Sequence, residues 1–479
     1  MNIEKFFKSV IAAVTLCVAV SATSAVRELP VLKIYVPSNP IYEEYIQGSM
    51  TLENTDGSIT SLPAKFKTRG ATALKYAMKP SLNMKLEGED GVEIDSLLLG
   101  LRRASSFILD AMAIDRICMR NRVCFDIWNS FSKLPYKTDF DKRNGTVGAF
   151  VTVYMNDQYK GIYCLSDKIN RKLLDLKKPK EDDDGKITIR GVLYKQGTND
   201  ISDQNTPGFF NDSTVYVAQY HDAWELHEPD NYPGIAAWQP LVDYYENFSS
   251  GTYIKDNFYV DNLVDYSLFV MALCISDNWG AKNKYFSMVN CQGDEDDRRF
   301  IVTPWDLDTS LGGEYDGSNH NGNYKQWTPD EIAKSCSSPF SICFSDANVF
   351  ESMRQRWIKT RETVFAVDSV AKRLYDYCSL FEESGAWQEY TDYWNAQSDR
   401  PMYVDNLRAE IDLIVEWYSD RVKTLDKYFN VKGASLTDIE AEQNDEDGII
   451  YNLHGIPVER HNLRPNTIYI RNGKKWIQR

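Results

Sequence analysis

The hydrophobic pattern divides the chain into a strand-rich first part and a largely helical later part. Alternating apolar and polar residues predict short strands at residues 31–36, 50–53, 64–67 and 82–86. Residues 149–154 and 161–165 flank a turn sequence at Asn156-Asp157, so they predict a hairpin. Apolar residues at helical spacing predict a helix over residues 115–131.

The later half begins with a short predicted strand at residues 191–195, followed by an irregular segment rich in polar and aromatic residues. That segment, residues 199–233, predicts a long insertion over a cleft. A mainly apolar stretch at residues 260–275 predicts a buried helix. A strand pair at residues 284–289 and 299–303 follows it, and the pattern is then helical over residues 348–430.

The two ends of the chain differ from this core. Lys5 and Lys8 precede an apolar stretch and the small residues 23–25, which is typical of a signal peptide over residues 1–25. The stretch is shorter than the roughly 20 residues of a membrane span. We therefore expect no transmembrane segment and an exported protein that is periplasmic, surface-located or extracellular. Residues 431–447 predict a polar linker, and residues 448–479 predict a small β module.

Composition narrows the possible functions. The chain has 479 residues and a formal net charge of -15, which disfavours nucleic acid as a partner. Its five His, with no Cys/His pattern, argue against imidazole chemistry and zinc. In an exported protein, Cys336 and Cys343 around Pro339 are the best disulfide candidates, whereas Cys118 and Cys124 are expected to be buried thiols. The sequence sets no oligomeric state.

Three Asp residues and one Asn near the ends of predicted helices and strands are the candidates for catalytic or metal-binding residues. Asp277 follows the apolar helix, Asn283 comes six residues later, and Asp306 and Asp308 follow a strand. Oxygen ligands at strand ends suit Mg²⁺. An Asp, a later Asn and a further Asp also occur in protein kinases, but no Gly-rich phosphate loop or other kinase signature is present. Asp pairs in loops are more often turn formers, so spacing alone favours a structural role.

Basic residues in the predicted sheet offer possible phosphate contacts. Arg69, Lys79 and Lys85 fall in one strand-turn-strand region, where they could hold phosphate oxygens. A solvated sheet face explains them equally simply and is the favoured interpretation of the pattern alone.

Taken in order, several segments resemble the spore coat protein H (CotH) kinase family, a group of atypical kinases with a distorted kinase-like fold. The closest match is the segment from Thr303 to Gly312, which contains Trp305, Asp306 and Asp308. The other matching segments are Arg69-Gly70-Ala71-Thr72 with Lys79-Pro80 and Lys85, Asp115 with Arg120-Asn121, residues 159–168, Leu193-Tyr194-Lys195, Asp277, and Asn283-Lys284-Tyr285.

The resemblance implies an α+β fold over residues 28–430: an atypical protein-kinase-like core, β-rich at first and mixed later, with helices at residues 348–430. It implies that Asp277 orients an acceptor hydroxyl, and that Asn283 and Asp306 bind Mg²⁺ with Asp308 as a ligand or support. Further roles concern ATP, and they fall on a set of basic residues and one aromatic residue. Lys79, Lys85 or Lys195 would contact the phosphates, Arg69 would assist, and Trp305 would line the nucleotide site.

Two positions depart from the family pattern. Ala73 stands where relatives often carry Ser, and Asp167 stands where Glu is expected. If this carboxylate pairs with a lysine, the shorter Asp side chain displaces or loses the ion pair. Residues 450–455 and 468–475 resemble short C-terminal β modules of secreted Bacteroidetes proteins, some of which are sorting signals. A plain accessory hairpin is the alternative.

Three functions remain open at this point. The first is phosphoryl transfer from ATP to Ser or Thr hydroxyls of a protein substrate. The second is a catalytically inactive kinase-like scaffold that binds or organises the cell envelope, with contacts around Trp224 and Trp238. The third is a glycosidase, which is disfavoured because Asp306 and Asp308 lack an identifiable acid partner.

Overall fold

The computed structural model describes most of the region between residues 28 and 431 and parts of the C-terminal segment. The described residues are 28–41, 44–70, 79–136, 138–139, 141–196, 224–229, 235–278, 282–314, 327–397, 403–431, 450–451, 458, 463, 465, 467–471 and 474–478. The predicted signal peptide, the residues 71–73 of the basic motif, most of the predicted insertion and nearly all of the linker lie outside them.

The first part of the fold is a closed β-barrel whose strands are ordered β1-β2-β3-β4-β5-β7-β6. Its strands are β1 Val31–Tyr35, β2 Ile46–Glu53, β3 Ile59–Arg69, β4 Ser81–Leu86, β5 Ser106–Asp110, β6 Gly148–Met155 and β7 Gln158–Asp167. Alternate residues point inward, as Leu82, Met84 and Leu86 show in β4. Parallel pairing of β1 with β6 closes the barrel, so no strand edge is left open there.

A four-stranded sheet follows the barrel, in the order β11-β10-β12-β13. Its strands are β10 Val192–Gln196, β11 Trp224–Glu228, β12 Lys284–Met288 and β13 Phe300–Pro304. A small pair, β8 Lys180–Glu181 and β9 Ile187–Thr188, lies on either side of the acidic loop that precedes this sheet. All residues of β12 and β13 are buried, because one face packs against the apolar segment 260–273 and the other against residues 169–176.

Helices build the rest of the described core. They are α1 Arg120–Phe131, α2 Gln239–Asn247, α3 Gly251–Asn257, α4 Val260–Leu273, α5 Pro329–Ser335, α6 Ile342–Ser345, α7 Ala347–Thr360, α8 Val367–Glu383, α9 Ala386–Asn395 and α10 Leu407–Tyr428, with a 3-10 turn at Ile235–Ala237. Helix α4 is buried from Asn262 to Leu273, as its apolar sequence predicts. Each described helix falls short of the combined length and apolarity that a membrane span requires.

The prediction of a mixed α+β fold, rich in strands first and in helices later, is therefore confirmed. The first predicted helix begins at Arg120 and not at residue 115, because Asp115 caps the start of the helix from outside it. The Asp115 carboxylate accepts hydrogen bonds from the backbone N–H groups of Met119 and Arg120, at 2.8 and 2.7 Å. Strands β5 and β11 were not predicted. Strand β11 shows that the segment expected to be irregular contains ordered structure at Trp224–Glu228.

The disulfide expected between Cys336 and Cys343 is wrong, because all eight cysteines among the described residues are free. Cys343 lies in α6 and is fully buried in the main apolar core. Burial raises the pKa of the Cys343 thiol to about 12, so it behaves as a small apolar group. The expectation of buried thiols at Cys118 and Cys124 is confirmed.

The C-terminal segment contains a three-stranded sheet in the order β14-β15-β16. Its strands are β14 Ile450–Tyr451, β15 Thr467–Arg471 and β16 Lys474–Gln478, and both pairings are antiparallel. The strand character predicted for this segment is confirmed.

A buried carboxylate ends the barrel strand β7. Asp167 is fully buried, and neither of its carboxylate oxygens has a hydrogen-bond partner among the described residues. Burial raises the pKa of Asp167 to about 6, although Arg102, Arg143 and Arg122 act against it. No lysine pairs with Asp167 within the described residues.

This position gives a prediction about stability. The pKa of Asp167 is higher in the folded protein than in the unfolded chain, so ionised Asp167 destabilises the fold above about pH 6. The penalty disappears as the pH falls towards 4. We predict that Asp167→Asn raises the free energy of unfolding at pH 8 by up to about 3 kcal/mol, and by almost nothing at pH 4.

Urea unfolding at several pH values measures this difference, and Asp182→Asn in the exposed acidic loop is the control. A variant at position 167 that is less stable than the native protein at pH 8 would show that attraction to the arginines outweighs burial.

Candidate active site

Three strands of the four-stranded sheet reach the same edge, where the candidate site lies. Strand β10 ends at Gln196, which is opposite Lys284 at the start of β12, and Lys284 is opposite Pro304 at the end of β13. The chain just beyond these ends continues the pairing. The Asn283 N–H donates to the Gln196 carbonyl at 3.3 Å, and the Trp305 N–H donates to the Asn283 carbonyl at 3.0 Å. The register therefore brings Asn283 and Trp305 together.

The loop after α4 places Asp277 at this edge. Helix α4 ends because Cys274 adopts a left-handed conformation with φ of 52°. Four residues later the fully buried Asn278 amide donates through Nδ2 to the carbonyls of Asn283 and Trp305, at 2.9 and 2.8 Å. These bonds tie the loop that carries Asp277 to the ends of both strands.

Asp277 forms an ion pair with Lys282, a residue that the sequence reasoning missed. The Lys282 Nζ lies 2.9 Å from Asp277 Oδ2, and the two side chains are 37% and 23% exposed. A pair this accessible adds little to stability. Its effect is to hold the Asp277 carboxylate in place and to keep a positive charge beside it. The only sequence signal was a basic residue directly before Asn283.

Asp306 follows β13 and adopts a left-handed backbone conformation, with φ of 57°. Its side chain is reached by solvent, although protein surrounds it in a cleft. Desolvation within the cleft raises the pKa of Asp306, and the nearby carboxylates of Asp110 and Asp277 raise it further. The repulsion between these like charges disfavours the ionised carboxylate. A cation bound here would relieve it.

Asp308 has different surroundings, although it is two residues away. It is half-buried and lines a narrow pocket with Asp115, Arg120 and Glu314. Burial raises the pKa of Asp308 well above its usual value, and Asp306 adds to the shift. Asp306 is therefore open to a ligand from solvent, whereas Asp308 faces a narrow pocket.

Trp305 is half-buried between a cation and an aromatic ring. The Arg69 guanidinium, at the end of β3, lies 4.8 Å from the Trp305 ring centroid. The Tyr285 ring meets Trp305 edge-on at 5.8 Å, and both belong to an apolar cluster with Ile169 and Leu193. Arg69 is thus brought from the barrel to the edge of the sheet by a cation–π contact.

Lys195 approaches the same edge from β10. It lies opposite Tyr285 in the sheet, and its charge offsets part of the rise in the pKa of Asp306. Its partner is Glu225 of β11, with Nζ and Oε1 3.7 Å apart. Burial would raise the pKa of Glu225, but His227 and Lys195 outweigh burial and lower it to about 2. Glu225 and His227 were missed because their segment showed no strand pattern.

Lys79 and Lys85 are held elsewhere. Lys79 is 1% exposed and donates to the Ala111 and Ile162 carbonyls and to the Tyr390 hydroxyl. Burial lowers the pKa of Lys79 to about 7. Lys85 forms ion pairs on the barrel, with Glu87 at 2.8 Å and Glu93 at 3.0 Å. Of the three lysines predicted to contact phosphate, Lys195 is therefore the one whose charge acts on Asp306.

Two further residues connect the barrel to the site. Asp110, at the end of β5, accepts a hydrogen bond from Asn121 Nδ2 at 2.5 Å, and Asn121 Oδ1 accepts one from the Leu307 N–H at 3.2 Å. Asn121 belongs to the Arg-Asn motif, but the motif by itself assigns no role to this residue. Asp110 gave no signal, because its strand was not predicted.

The donor set suits a hard cation that is shared with a ligand. Within the described residues, no three His, Cys, Asp or Glu side chains converge to hold a metal by themselves. Mg²⁺ is commonly bound by one or two carboxylates, with water and phosphate oxygens as its remaining ligands. Asp306 and the Asn283 amide, which has no hydrogen-bond partner among the described residues, fit that requirement.

Comparison with known proteins identifies the family. The sequence profile of the family described as CotH kinase protein matches residues 66–425, well over half of the chain. The chain therefore belongs to the CotH family, and the matched range includes all the site residues described above. None of the curated proteins compared with the sequence gives a match.

The different positions of the lysines give a prediction. We expect Lys79→Ala to lower the free energy of unfolding by about 2–4 kcal/mol, because it leaves a cavity and buried acceptors without a donor. Lys195→Ala, at a partly exposed ion pair, is expected to change it by less than about 1 kcal/mol. Urea unfolding of both variants provides the measurement. Equal losses of stability would contradict the separation of these two lysines.

Proposed function

We propose that this CotH-family protein is an ATP- and Mg²⁺-dependent phosphotransferase that phosphorylates Ser or Thr hydroxyls of an exported or surface protein. Membership of the family supports a kinase-like function. The observation that supports the proposal most strongly is the convergence of Asp277, Asn283 and Asp306 at one sheet edge. Oxygen ligands for Mg²⁺ and an Asp that can accept the hydroxyl proton are groups that kinases use for phosphoryl transfer.

Mg²⁺ would be held by Asn283 and Asp306, with Asp308 supporting the site from its pocket. Bound Mg²⁺ would neutralise charge on the ATP phosphates. Asp306 supplies an accessible carboxylate. Its raised pKa reflects desolvation and also neighbouring negative charge, which a cation would offset. Asp308 is less accessible and lies towards Asp115 and Arg120, so we assign it to supporting the segment.

The phosphates of ATP would be bound by Lys195 and Arg69. Both charges act on Asp306, so both lie near the expected metal. Arg69 stacks on Trp305, which leaves Trp305 as a wall beside the phosphate site. We assign structural roles to Lys79 and Lys85, because their ammonium groups are already bound within the barrel.

Asp277 would orient the acceptor hydroxyl. As the hydroxyl oxygen forms its bond to the γ-phosphorus, the bond to the leaving ADP oxygen breaks, and Asp277 takes the hydroxyl proton. Lys282, 2.9 Å from Asp277, holds the carboxylate in place until then. ATP is scarce outside the cytoplasm, so we place the reaction before or during export of the substrate.

Two substitutions separate these roles. Asp277→Asn is expected to leave Mg²⁺-dependent ATP binding intact while lowering phosphoryl transfer by about 10²–10⁴-fold, because the proton acceptor is lost. Asp306→Asn is expected to weaken ATP binding itself, because a metal ligand is lost. The measurements are calorimetric titration with ATP and transfer of label from ATP to the protein or to Ser-rich peptides.

Asp420→Asn on the exposed surface of α10 is the matched control and should behave as the native protein does. Native protein that binds ATP but transfers no phosphate would favour a kinase-like binding scaffold. Native protein that binds no ATP in the presence of Mg²⁺ would overturn the proposed function.

We propose that the C-terminal β module acts as a sorting signal. Its three strands pair among themselves, so its removal need not disturb the site. Deleting residues 448–479 should change the location of the protein without changing its ATP binding. Cell fractionation and ATP titration test the two parts, and unaltered surface delivery would refute the sorting role.

A further inference from the structure

We infer that Asn121 and Asn278 are positioning residues that clamp the two peptide groups flanking Asp306 and so hold its carboxylate ready for the metal. The inference rests on the proposed function, since it assigns these amides a role in metal binding. The evidence for it is that hydrogen bonds fix the peptide groups on both sides of Asp306, whose backbone is left-handed.

The backbone of Asp306 needs such support. Its φ of 57° lies in the left-handed region, which is unfavourable for a residue with a Cβ atom. A residue in this region persists when its surroundings fix it. The neighbouring side chains of Leu307 and Leu311 are fully buried and anchor the segment, but they do not fix the peptide planes around Asp306.

The peptide that precedes Asp306 is fixed by Asn278. Its Nδ2 donates to the Trp305 carbonyl at 2.8 Å and to the Asn283 carbonyl at 2.9 Å. Both partners can only accept, so the orientation of the amide is determined. The backbone carbonyl of Asn278 in turn accepts from the Tyr266 hydroxyl at 2.9 Å. One buried side chain thus sets Asp306 relative to the proposed metal ligand Asn283.

The peptide that follows Asp306 is fixed by Asn121. The Leu307 N–H donates to Asn121 Oδ1 at 3.2 Å, and Asn121 Nδ2 donates to Asp110 Oδ2 at 2.5 Å. The Asp110 carboxylate accepts only, so it turns the amide with its oxygen towards Leu307. Asp110 is itself held by the Met112 N–H at 3.0 Å and the Ser81 hydroxyl at 3.3 Å.

The two clamps connect separate parts of the fold to one residue. Asn121 lies in α1 and is bound to the barrel through Asp110, whereas Asn278 belongs to the loop after α4. Asp306 is therefore held between the barrel and the sheet. Loss of either clamp should let the peptide planes rotate and reduce the affinity for the metal more than it reduces the stability of the fold.

The direction of the Asn121 bonds allows a test by exchange. Asn121→Asp removes the donor and places two carboxylates together, so the clamp should open. Asn121→Asp combined with Asp110→Asn restores a donor and an acceptor in reversed order, and the carboxylate at position 121 can still accept from the Leu307 N–H. The double variant has the same net charge as the native protein.

The readouts are the Mg²⁺ concentration that half-saturates ATP binding, the unfolding temperature without ligands, and hydrogen exchange of the Leu307 amide. We expect Asn121→Asp to raise the Mg²⁺ requirement about 10–100-fold, the usual cost of losing an outer-shell partner. The double variant should recover to within a few-fold of the native value. Exchange at Leu307 should accelerate in the single variant and slow again in the double variant.

Asn278→Asp provides an independent arm, because its carboxylate cannot donate to the Trp305 and Asn283 carbonyls. It should raise the Mg²⁺ requirement as well. If this buried change prevents folding, the Asn121 pair still decides the question.

Two results would overturn the inference. In the first, Asn121→Asp lowers the unfolding temperature but leaves the Mg²⁺ requirement unchanged, which would make the amide merely structural. In the second, the double variant recovers neither metal dependence nor slow exchange. Native protein without Mg²⁺-dependent ATP binding would refute the proposed function instead, and exchange at Leu307 would then decide whether the clamp exists.

Discussion

The antiparallel register of β10, β12 and β13 is the constraint on which the candidate site depends. It sets Lys195 opposite Tyr285 and Tyr285 opposite Thr303, and it ends the strands at a common edge. A slip of one residue would turn Lys195 to the other face of the sheet. The register is secured because β12 and β13 are buried along their whole length. Packing of the core therefore determines where the polar groups meet.

Charge is the second organising feature of the site. Desolvation raises the pKa of Asp306 and Asp308, and repulsion from the carboxylates of Asp110 and Asp277 raises it further. Arg69 and Lys195 offset part of this repulsion at Asp306, and Lys282 offsets part of it at Asp277. The charge that is left unbalanced in the cleft is negative, which is the sign that attracts cations. That is a reason to interpret it as a place for metal-bound phosphates.

Elements with long, regular patterns could be predicted from the sequence. The helix α4 follows from its long apolar stretch, and the hairpin of β6 and β7 follows from two apolar segments on either side of the turn sequence Asn156-Asp157. Strand β5 could not be predicted, since Ser106–Asp110 is short and its middle residues are all buried, without alternation. The late start of α1 was missed because Asp115 caps the helix from outside it, in a stretch that keeps helical spacing.

The site was only partly predictable, because several of its residues act through contacts that leave no pattern in the sequence. Motif order gave Asp277, Asn283 and Asp306, but it could not distinguish the three lysines, because burial of Lys79 by Tyr390 depends on a helix more than 300 residues later. Asn121, Asn278 and Lys282 act through contacts with distant or unpatterned segments, which periodicity does not report. The predicted metal and nucleotide roles stay predictions that the geometry makes specific.

The most direct test is a crystal structure of residues 26–479 with Mn²⁺ and a non-hydrolysable ATP analogue. Anomalous scattering would locate the metal. The account predicts Mn²⁺ within about 2.0–2.3 Å of an Asp306 oxygen and of the Asn283 amide oxygen, with Lys195 on the phosphates and Asp277 facing the terminal phosphorus. Metal and nucleotide bound away from this edge, or bound here without Asp306 as a ligand, would contradict it.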